Sequence, residues 1–262
     1  MEKVIDVLFK GVRYKVFCKF QKNNDNLLFC IHGLGCTKES FNNLFESNLL
    51  KRYSILALDL IGYGKSSRGE AFSFSIEDQA EVCSLVLEQF EFKTIHILGH
   101  SMGGAIGLFL YDIVPEKISS FINIEGNLVR EDCSILSRRT IAVSEKEFVE
   151  SFFQAIRKQF IYSKEKSFNL WAGWSEHADP AGFYKSSESL VALSDNGELL
   201  KKFKNMQIPK IYIFGENNKD MRLLGLIPEI PKAMIPSAGH FIFNDNPDKF
   251  ARVLFEFLRI KK

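Results

Sequence analysis

The chain has 262 residues, of which 46% are hydrophobic and 25% are charged, and its formal net charge is +2. This composition is typical of a globular protein with one large domain, or one domain that carries an insertion. The small net charge argues against nucleic acid as a partner. Residues 1–6 offer no signal-peptide core, and no segment reaches the ~18 apolar residues of a membrane span. The five cysteines are scattered and odd in number, which predicts reduced thiols in a cytoplasmic protein.

Apolar runs bounded by polar or glycine-containing turns predict strands and helices that alternate along most of the chain. The predicted strands cover residues 4–9, 12–20, 27–31, 54–59, 95–98, 118–124, 209–215 and 232–236. Helical patterns cover residues 39–50, 76–90 with Ser75 as the N-cap, the stretch after Ser101, and the stretch from Asn246-Pro247 to about Ile260. Strands that alternate with helices predict an α/β fold with a mostly parallel sheet and helices on both faces.

The alternation stops between residues 127 and 205, where no long buried strand can be recognised. Helical patterns at 145–160 and 187–193 are separated by aromatic residues in this region. We therefore predict a helical cap insertion over residues 127–205. It divides a core whose first part is 1–126 and whose second part is 206–262.

A glycine-flanked serine follows the strand that ends near residue 98. Gly99-His100-Ser101-Met102-Gly103 has the G-x-S-x-G pattern of a nucleophile elbow, and a helical pattern follows it directly. Glycines are needed there because the turn is too tight for side chains. The first N–H groups of the next helix favour negative charge at the same place. The motif therefore predicts Ser101 as a nucleophile raised above the strand end.

Four motifs in this order resemble those of the α/β-hydrolase fold family, specifically its small cap-bearing members. They are His32-Gly33-Leu34-Gly35, the stretch 59–66 with the sequence DLIGYGKS, the elbow with Gly104 after it, and Gly239-His240. The resemblance covers nearly the whole chain. It implies a parallel sheet, a nucleophile, acid and histidine in that chain order, and a cap over the site.

The resemblance also implies roles for individual residues. His240 would be the base that removes the proton of Ser101. The backbone N–H groups of Leu34 and Met102 would form the oxyanion hole. We expect His32 to organise the backbone of the loop that carries Leu34.

The acid of the triad is where the chain departs from the family pattern. Family members often carry an aspartate shortly after the strand that ends at Gly215, and here Asn218 stands at that position. Two carboxylates are available instead, Glu125 after the strand 118–124 and Asp220 two residues late. A carboxylate buried at a strand end without a partner would cost several kcal/mol, so a glutamate directly after a buried strand indicates that its charge has a function. We therefore favour Glu125, with Asp220 as the alternative.

These features predict a carboxylesterase-like serine hydrolase that cleaves a small carboxylic ester or a related acyl compound through an acyl-enzyme on Ser101. We expect no metal or other cofactor, because no ligand cluster or G-x-G-x-x-G motif is present. The motifs do not separate this function from a lyase or a C–C bond hydrolase with the same triad. A ligand-binding receptor that retains the fold is a third alternative.

Two tryptophans in the predicted insertion are candidates for the substrate pocket. Trp171 and Trp174 are three residues apart, so on a helix they share a face. Either they line the pocket or they anchor the cap to its own small core.

Overall fold

One sheet of eight strands runs through the computed structural model of the chain, which describes residues 1–69, 71–164 and 166–259. The strands are β1 (Glu2–Phe9), β2 (Val12–Gln21), β3 (Asn26–Ile31), β4 (Ser54–Leu58), β5 (Thr94–His100), β6 (Ile118–Ile124), β7 (Lys210–Gly215) and β8 (Lys232–Ile235). Their order across the sheet is β1-β2-β4-β3-β5-β6-β7-β8. The pairs β1–β2 and β2–β4 are antiparallel, and all later neighbours are parallel. The predicted mostly parallel sheet is confirmed.

Helices surround this sheet, as expected for parallel strands that are buried on both faces. The α-helices are α1 (Asn42–Glu46), α2 (Ile76–Leu87), α3 (Met102–Ile113), α4 (Ser137–Thr140), α5 (Glu145–Glu147), α6 (Phe153–Ile161), α7 (Lys166–Trp174), α8 (Pro180–Asp195), α9 (Glu198–Asn205), α10 (Arg222–Leu226), α11 (Ile242–Asp245) and α12 (Pro247–Arg259). Helix α3 contacts α2 and α9, whereas α1, α11 and α12 contact one another. None of the helices that the structure describes combines the length and apolarity needed to cross a bilayer.

The first two predicted strands are confirmed, and they pair as an antiparallel hairpin. Buried and exposed residues alternate along β1 and the start of β2, as expected for strands that face the core on one side. Lys10 and Gly11 join the two strands with φ angles of 47° and 80°. Two consecutive positive φ angles define a type I′ turn, whose twist matches that of the flanking strands.

Two of the predicted helix starts are also confirmed. Ser75 caps α2, because its side chain accepts a hydrogen bond from the backbone N–H of Asp78 at 3.2 Å. Asn246 precedes α12, and Pro247 is the first residue of that helix. The predicted end of this helix at Ile260 lies outside the described residues.

The prediction of a single helix over residues 39–50 is wrong. The chain forms a 3-10 helix at Lys38–Phe41, then α1, then a second 3-10 helix at Asn48–Arg52. Ser47 interrupts the path with an extended conformation, ψ 119°. The side chain of Asn43 is held instead by the carbonyl of Phe243, at 3.0 Å. Asparagine and serine are weak helix formers, so contacts with the rest of the fold decide the local structure here.

The segment between β6 and β7 contains α4 to α9 and no strand among its described residues. The helical patterns predicted at 145–160 and 187–193 are both present. The first includes a π-helical turn, Phe148–Phe152, between α5 and α6, and the second is part of the longer α8. Helix α7 contacts α11, and α8 contacts α2. The segment therefore packs against the core at two separate places.

A buried ion pair fixes the loop that follows β4. Asp59 and Lys38 are almost completely inaccessible to solvent, with side-chain exposures of 0% and 1%. Lys38 Nζ lies 2.8 Å from Asp59 Oδ2, and the Lys38 backbone N–H donates to Asp59 Oδ1 at 2.8 Å. The backbone N–H of Lys65 also donates to Asp59, at 3.0 Å. Asp59 thus joins the loop after β3 to the loop after β4.

Candidate active site

Ser101 lies at the sharp turn between β5 and α3. Its backbone has φ 53° and ψ −122°, a sparsely populated conformation for a residue with a side chain. A Cβ atom at Gly103 would collide with the carbonyl of Ile31, and one at Gly99 would lie 2.5 Å from the Gly103 carbonyl oxygen. The two glycines therefore permit the close approach of β3, β5 and α3. The turn has the strand–turn–helix context expected of a nucleophile elbow.

Glu125 and His240 come together although they are 115 positions apart in the sequence. Glu125 follows β6, and its Oε2 lies 2.8 Å from Nδ1 of His240. The carboxylate side chain is only 3% exposed, and its residue has a positive φ of 40°. A left-handed conformation of a non-glycine residue is costly and concentrates at functional sites. Because Nδ1 faces the carboxylate, Nε2 lies on the side of the His240 ring that faces away from Glu125.

Neutral donors satisfy the rest of the Glu125 carboxylate. The backbone N–H of Gly215 donates to Oε1 at 2.8 Å, and Asn218 Nδ2 contacts both carboxylate oxygens at 2.9 and 2.8 Å. Asn218 therefore occupies the position where the family pattern has an acid, and it holds the acid of the neighbouring strand. Asp220 is exposed, and none of the hydrogen bonds or ion pairs among the described residues joins it to His240.

The Ser101 hydroxyl lies next to Asn127. Its Oγ donates to Asn127 Oδ1 at 3.5 Å, and no hydrogen bond among the described residues joins it to His240. Asn127 Nδ2 donates to the carbonyl of Asp132 at 2.9 Å, which fixes the amide so that its oxygen faces Ser101. Long catalytic hydrogen bonds are common in structures without substrate and shorten when substrate binds.

Two backbone N–H groups next to Ser101 have no acceptor within the part of the chain that the structure describes. Neither Leu34 nor Met102 donates a backbone hydrogen bond to another of the described residues. His32 Nδ1 contacts the Gly33 carbonyl at 2.8 Å, and His32 Nε2 accepts the backbone N–H of Leu60 at 3.1 Å. Burial lowers the pKa of His32. A neutral ring with its proton on Nδ1 satisfies both contacts and fixes the peptide that carries the Leu34 N–H.

His100, at the variable position of the elbow, supports the loop that carries His240. Its Nε2 lies 3.0 Å from the carbonyl oxygen of His240, and the two ring centroids are 4.7 Å apart. Complete burial lowers the pKa of His100 well below its usual range. The neutral ring therefore donates from Nε2 and holds the backbone of the loop that carries His240.

Two cavities meet at His240. The first has a volume of about 30 Å³ and contains Ser101, Leu34 and Trp171 in its wall. The second, of about 230 Å³, lies against Glu125 and Asn218. Both share the side chains of Asp132, Ile135 and His240. The first cavity holds about one water molecule, whereas small-molecule pockets have volumes of about 300–1,000 Å³.

The two tryptophans of α7 have different surroundings. Trp171 is 1% exposed and lines the cavity at Ser101, where its Nε1 donates to the carbonyl of Leu34 at 2.8 Å. Trp174 is partly buried, and its ring centroid lies 5.8 Å from that of Phe241. Trp174 does not line either of the two cavities.

Sequence reasoning missed two polar residues of this site. Asn127 and Asp132 lie in the loop after β6, where the sequence offers no motif. Burial raises the pKa of the Asp132 carboxyl to about 6. Only the proximity of Asn127 to a strand end could have drawn attention to it. Within the described residues, no three His, Cys, Asp or Glu side chains come together as metal ligands.

Comparison with known proteins supports the class that the fold and the elbow define. A family model described as the alpha/beta hydrolase fold matches residues 26–155. The order of the strands and the strand–turn–helix at Ser101 agree with it. The chain belongs to the α/β-hydrolase fold family.

Individual relatives are distant in sequence but similar in fold. The chain is 21% identical over 257 residues to the uncharacterized hydrolase YugF of Bacillus subtilis (strain 168), with 92% of each chain covered. A carboxylesterase structure from Nitrososphaera gargenis superposes with a TM-score of 0.79 at 16% identity, covering 98% of each chain. A variant of the N-acyl homoserine lactonase AidH with N-hexanoyl homoserine superposes with a TM-score of 0.76 at 18% identity, covering 100% of this chain and 98% of AidH. Relatives named as hydrolases and esterases support an α/β-hydrolase enzyme.

Proposed function

We propose that the chain is a serine hydrolase that cleaves a small carboxylic ester through an acyl-enzyme on Ser101. One observation carries this proposal. Ser101 on its strained turn shares a cavity with His240, whose Nδ1 is held at 2.8 Å by the buried Glu125. A hydroxyl that can rotate to an imidazole, which is itself held by a carboxylate, can act as a nucleophile at neutral pH.

The chemistry follows from which atoms face the substrate. Ser101 Oγ rotates from Asn127 to His240 and attacks the ester carbonyl carbon as Nε2 takes its proton. Glu125 stabilises the imidazolium that forms, and the N–H groups of Leu34 and Met102 stabilise the negative oxygen. His240 then gives the proton to the departing alcohol. A water molecule activated by His240 releases the acid and restores Ser101.

The helical segment over residues 127–205 acts as the cap in this proposal. Trp171 and Phe168 from α7 line one side of the Ser101 cavity, and Ile135 and Leu136 line another. Because this cavity of about 30 Å³ is too small for an ester, substrate entry requires these side chains to move.

A fluorophosphonate probe tests the nucleophile directly. We expect the folded protein to form one covalent adduct on Ser101, because His240 and the two N–H donors activate that hydroxyl. Mass mapping of the labelled protein locates the adduct. Ser101→Ala should keep the fold and lose the label, whereas Ser137→Ala, another serine of the cavity wall, should keep the label.

An ester series completes this test. Folded protein that is labelled on Ser101 and releases acid from p-nitrophenyl esters of graded acyl length supports the proposal. An adduct at another residue, or no adduct at all, contradicts it. A labelled protein that turns over none of the esters contradicts the ester-hydrolase function and favours the receptor or lyase alternatives.

The tryptophans of α7 give a matched pair of variants. Trp171→Phe removes the donor to the Leu34 carbonyl and loosens the loop that carries the oxyanion donor. We expect kcat for p-nitrophenyl butanoate to fall roughly tenfold, with little change in KM, since one buried hydrogen bond is lost. Trp174→Phe should change kcat less than about twofold, because it lacks this contact. Equal effects of the two substitutions would contradict a special role for Trp171.

A further inference from the structure

Asn127 presents a fixed hydrogen-bond acceptor beside the nucleophile. Its residue is 3% exposed, and its backbone N–H donates to the carbonyl of Ser101 at 3.3 Å. Its Nδ2 donates to the carbonyl of Asp132 at 2.9 Å. These two contacts hold the side chain so that Oδ1 lies 3.5 Å from Ser101 Oγ. The acceptor is therefore in place before substrate arrives.

This acceptor loses its donor when the reaction begins. Among the described residues, the Ser101 hydroxyl is the one group that donates to Asn127 Oδ1. In the proposed mechanism that proton passes to His240, so Oδ1 is left buried without a partner. A buried acceptor that loses its donor is costly, and a substrate that supplies a new donor removes the cost.

The position of the acceptor indicates which part of the substrate would supply the donor. The ester carbonyl carbon becomes bonded to Ser101 Oγ, so a donor on the adjacent α-carbon lies about 3 Å from Oγ, within hydrogen-bond reach of an acceptor that lies 3.5 Å from Oγ on the same side. Asp132 supplies a second acceptor in the wall of the same cavity. Asp132 uses Oδ2 to accept the N–H groups of Leu128 and Val129 at 2.8 and 3.0 Å, and its side chain lines both cavities.

We infer that Asn127 is a specificity-determining residue that selects esters with an O–H or N–H donor on the carbon next to the scissile carbonyl. Asn127 Oδ1 accepts that donor, and the acyl group extends past Asp132 and Ile135 into the cavity of about 230 Å³. This inference rests on the proposed function and names the substrate class of the same site.

Matched ethyl esters test the inference by pH-stat titration. Ethyl lactate carries an α-hydroxyl, and ethyl 2-methylpropanoate has a methyl group in its place. The quantity measured is the ratio of their kcat/KM values, compared between wild type and Asn127→Leu so that intrinsic ester reactivity cancels. We expect the ratio to fall roughly 5- to 150-fold in Asn127→Leu, through slower lactate hydrolysis.

Two further variants separate recognition from structural damage. Asn127→Asp keeps Oδ1 as an acceptor but replaces the Nδ2 donor with an oxygen that faces the Asp132 carbonyl, so the ratio should fall less than in Asn127→Leu. Asn217→Leu makes the same substitution at an exposed asparagine that lines neither cavity, and it should leave the ratio unchanged. If Asn127→Leu fails to fold, the comparison of Asn127→Asp with Asn127→Ser, whose hydroxyl is too short to reach the donor, replaces it.

Ethyl alaninate distinguishes the two sources of the donor. If only ethyl lactate shows a preference that depends on Asn127, the donor is a neutral hydroxyl. If only ethyl alaninate shows it, the donor is an amino group. Either result supports the inference. Equal ratios in wild type and folded Asn127 variants for both esters overturn it, although ester hydrolysis and the Ser101 label persist. Absence of both hydrolysis and label overturns the proposed function as well.

Discussion

Glu125→Gln should lower kcat by roughly 10² to 10⁴ without unfolding the protein. Glutamine keeps the shape of the side chain but cannot stabilise the His240 imidazolium by charge. Glutamine also replaces one carboxylate oxygen with an NH₂ donor. That donor would face the N–H donor of Asn218 or of His240, where the wild-type protein has an acceptor. The measurement is kcat and kcat/KM for p-nitrophenyl butanoate, on protein whose fold is verified by circular dichroism.

Asp220→Asn is the matched control for this prediction. It also removes one carboxylate charge, from the loop that follows β7 at the same edge of the sheet. The Asp220 side chain, however, is exposed and does not contact His240. We therefore expect a loss of less than about tenfold, as for an exposed loop residue. If Asp220→Asn abolishes turnover and Glu125→Gln does not, the acid lies after β7 and our assignment of Glu125 fails.

The choice between these two acids shows where sequence reasoning reaches its limit. Strands β6 and β7 are parallel neighbours with Ile124 opposite Ile213, so the loops after both strands end at the same edge. Either loop could carry a carboxylate to His240. The alternation of strands and helices predicts this edge, but it does not predict which side chain is buried there. In the structure, His240 contacts Glu125, and the amide of Asn218 donates to the same carboxylate.

Local patterns predicted the elements that depend on local chemistry. The G-x-S-x-G turn and the Ser75 cap each follow from residues that are close in sequence. The contacts of Trp171 with Leu34 and of Asn127 with Ser101 instead join residues that are distant in sequence. Trp171 meets a carbonyl 137 positions away, and no short-range pattern specifies such a contact.

The motif over residues 59–66 illustrates the same limit in another way. The sequence identifies it only as one of the four motifs that resemble the family, whereas the structure shows what its first residue contacts. Asp59 accepts two backbone N–H groups and the ammonium of Lys38, all within 3.0 Å. Lys38 Nζ also lies 2.8 Å from Glu39 Oε1. Although burial alone would lower the pKa of Lys38, its carboxylate partners raise it.

Lys38→Met should therefore reduce the free energy of unfolding by about 3–5 kcal/mol, because it leaves the Asp59 carboxylate buried without a cation. Urea denaturation measures this as a lower midpoint at an unchanged slope.

Lys15→Met is the matched control, since Lys15 pairs with Asp6 at 3.0 Å but both side chains are more than half exposed. Its effect should stay below about 1 kcal/mol. Lys38→Met/Asp59→Asn removes both charges and should lose less stability than the sum of the single changes. Equal losses from Lys38→Met and Lys15→Met would show that the Lys38–Asp59 pair does not stabilise the fold.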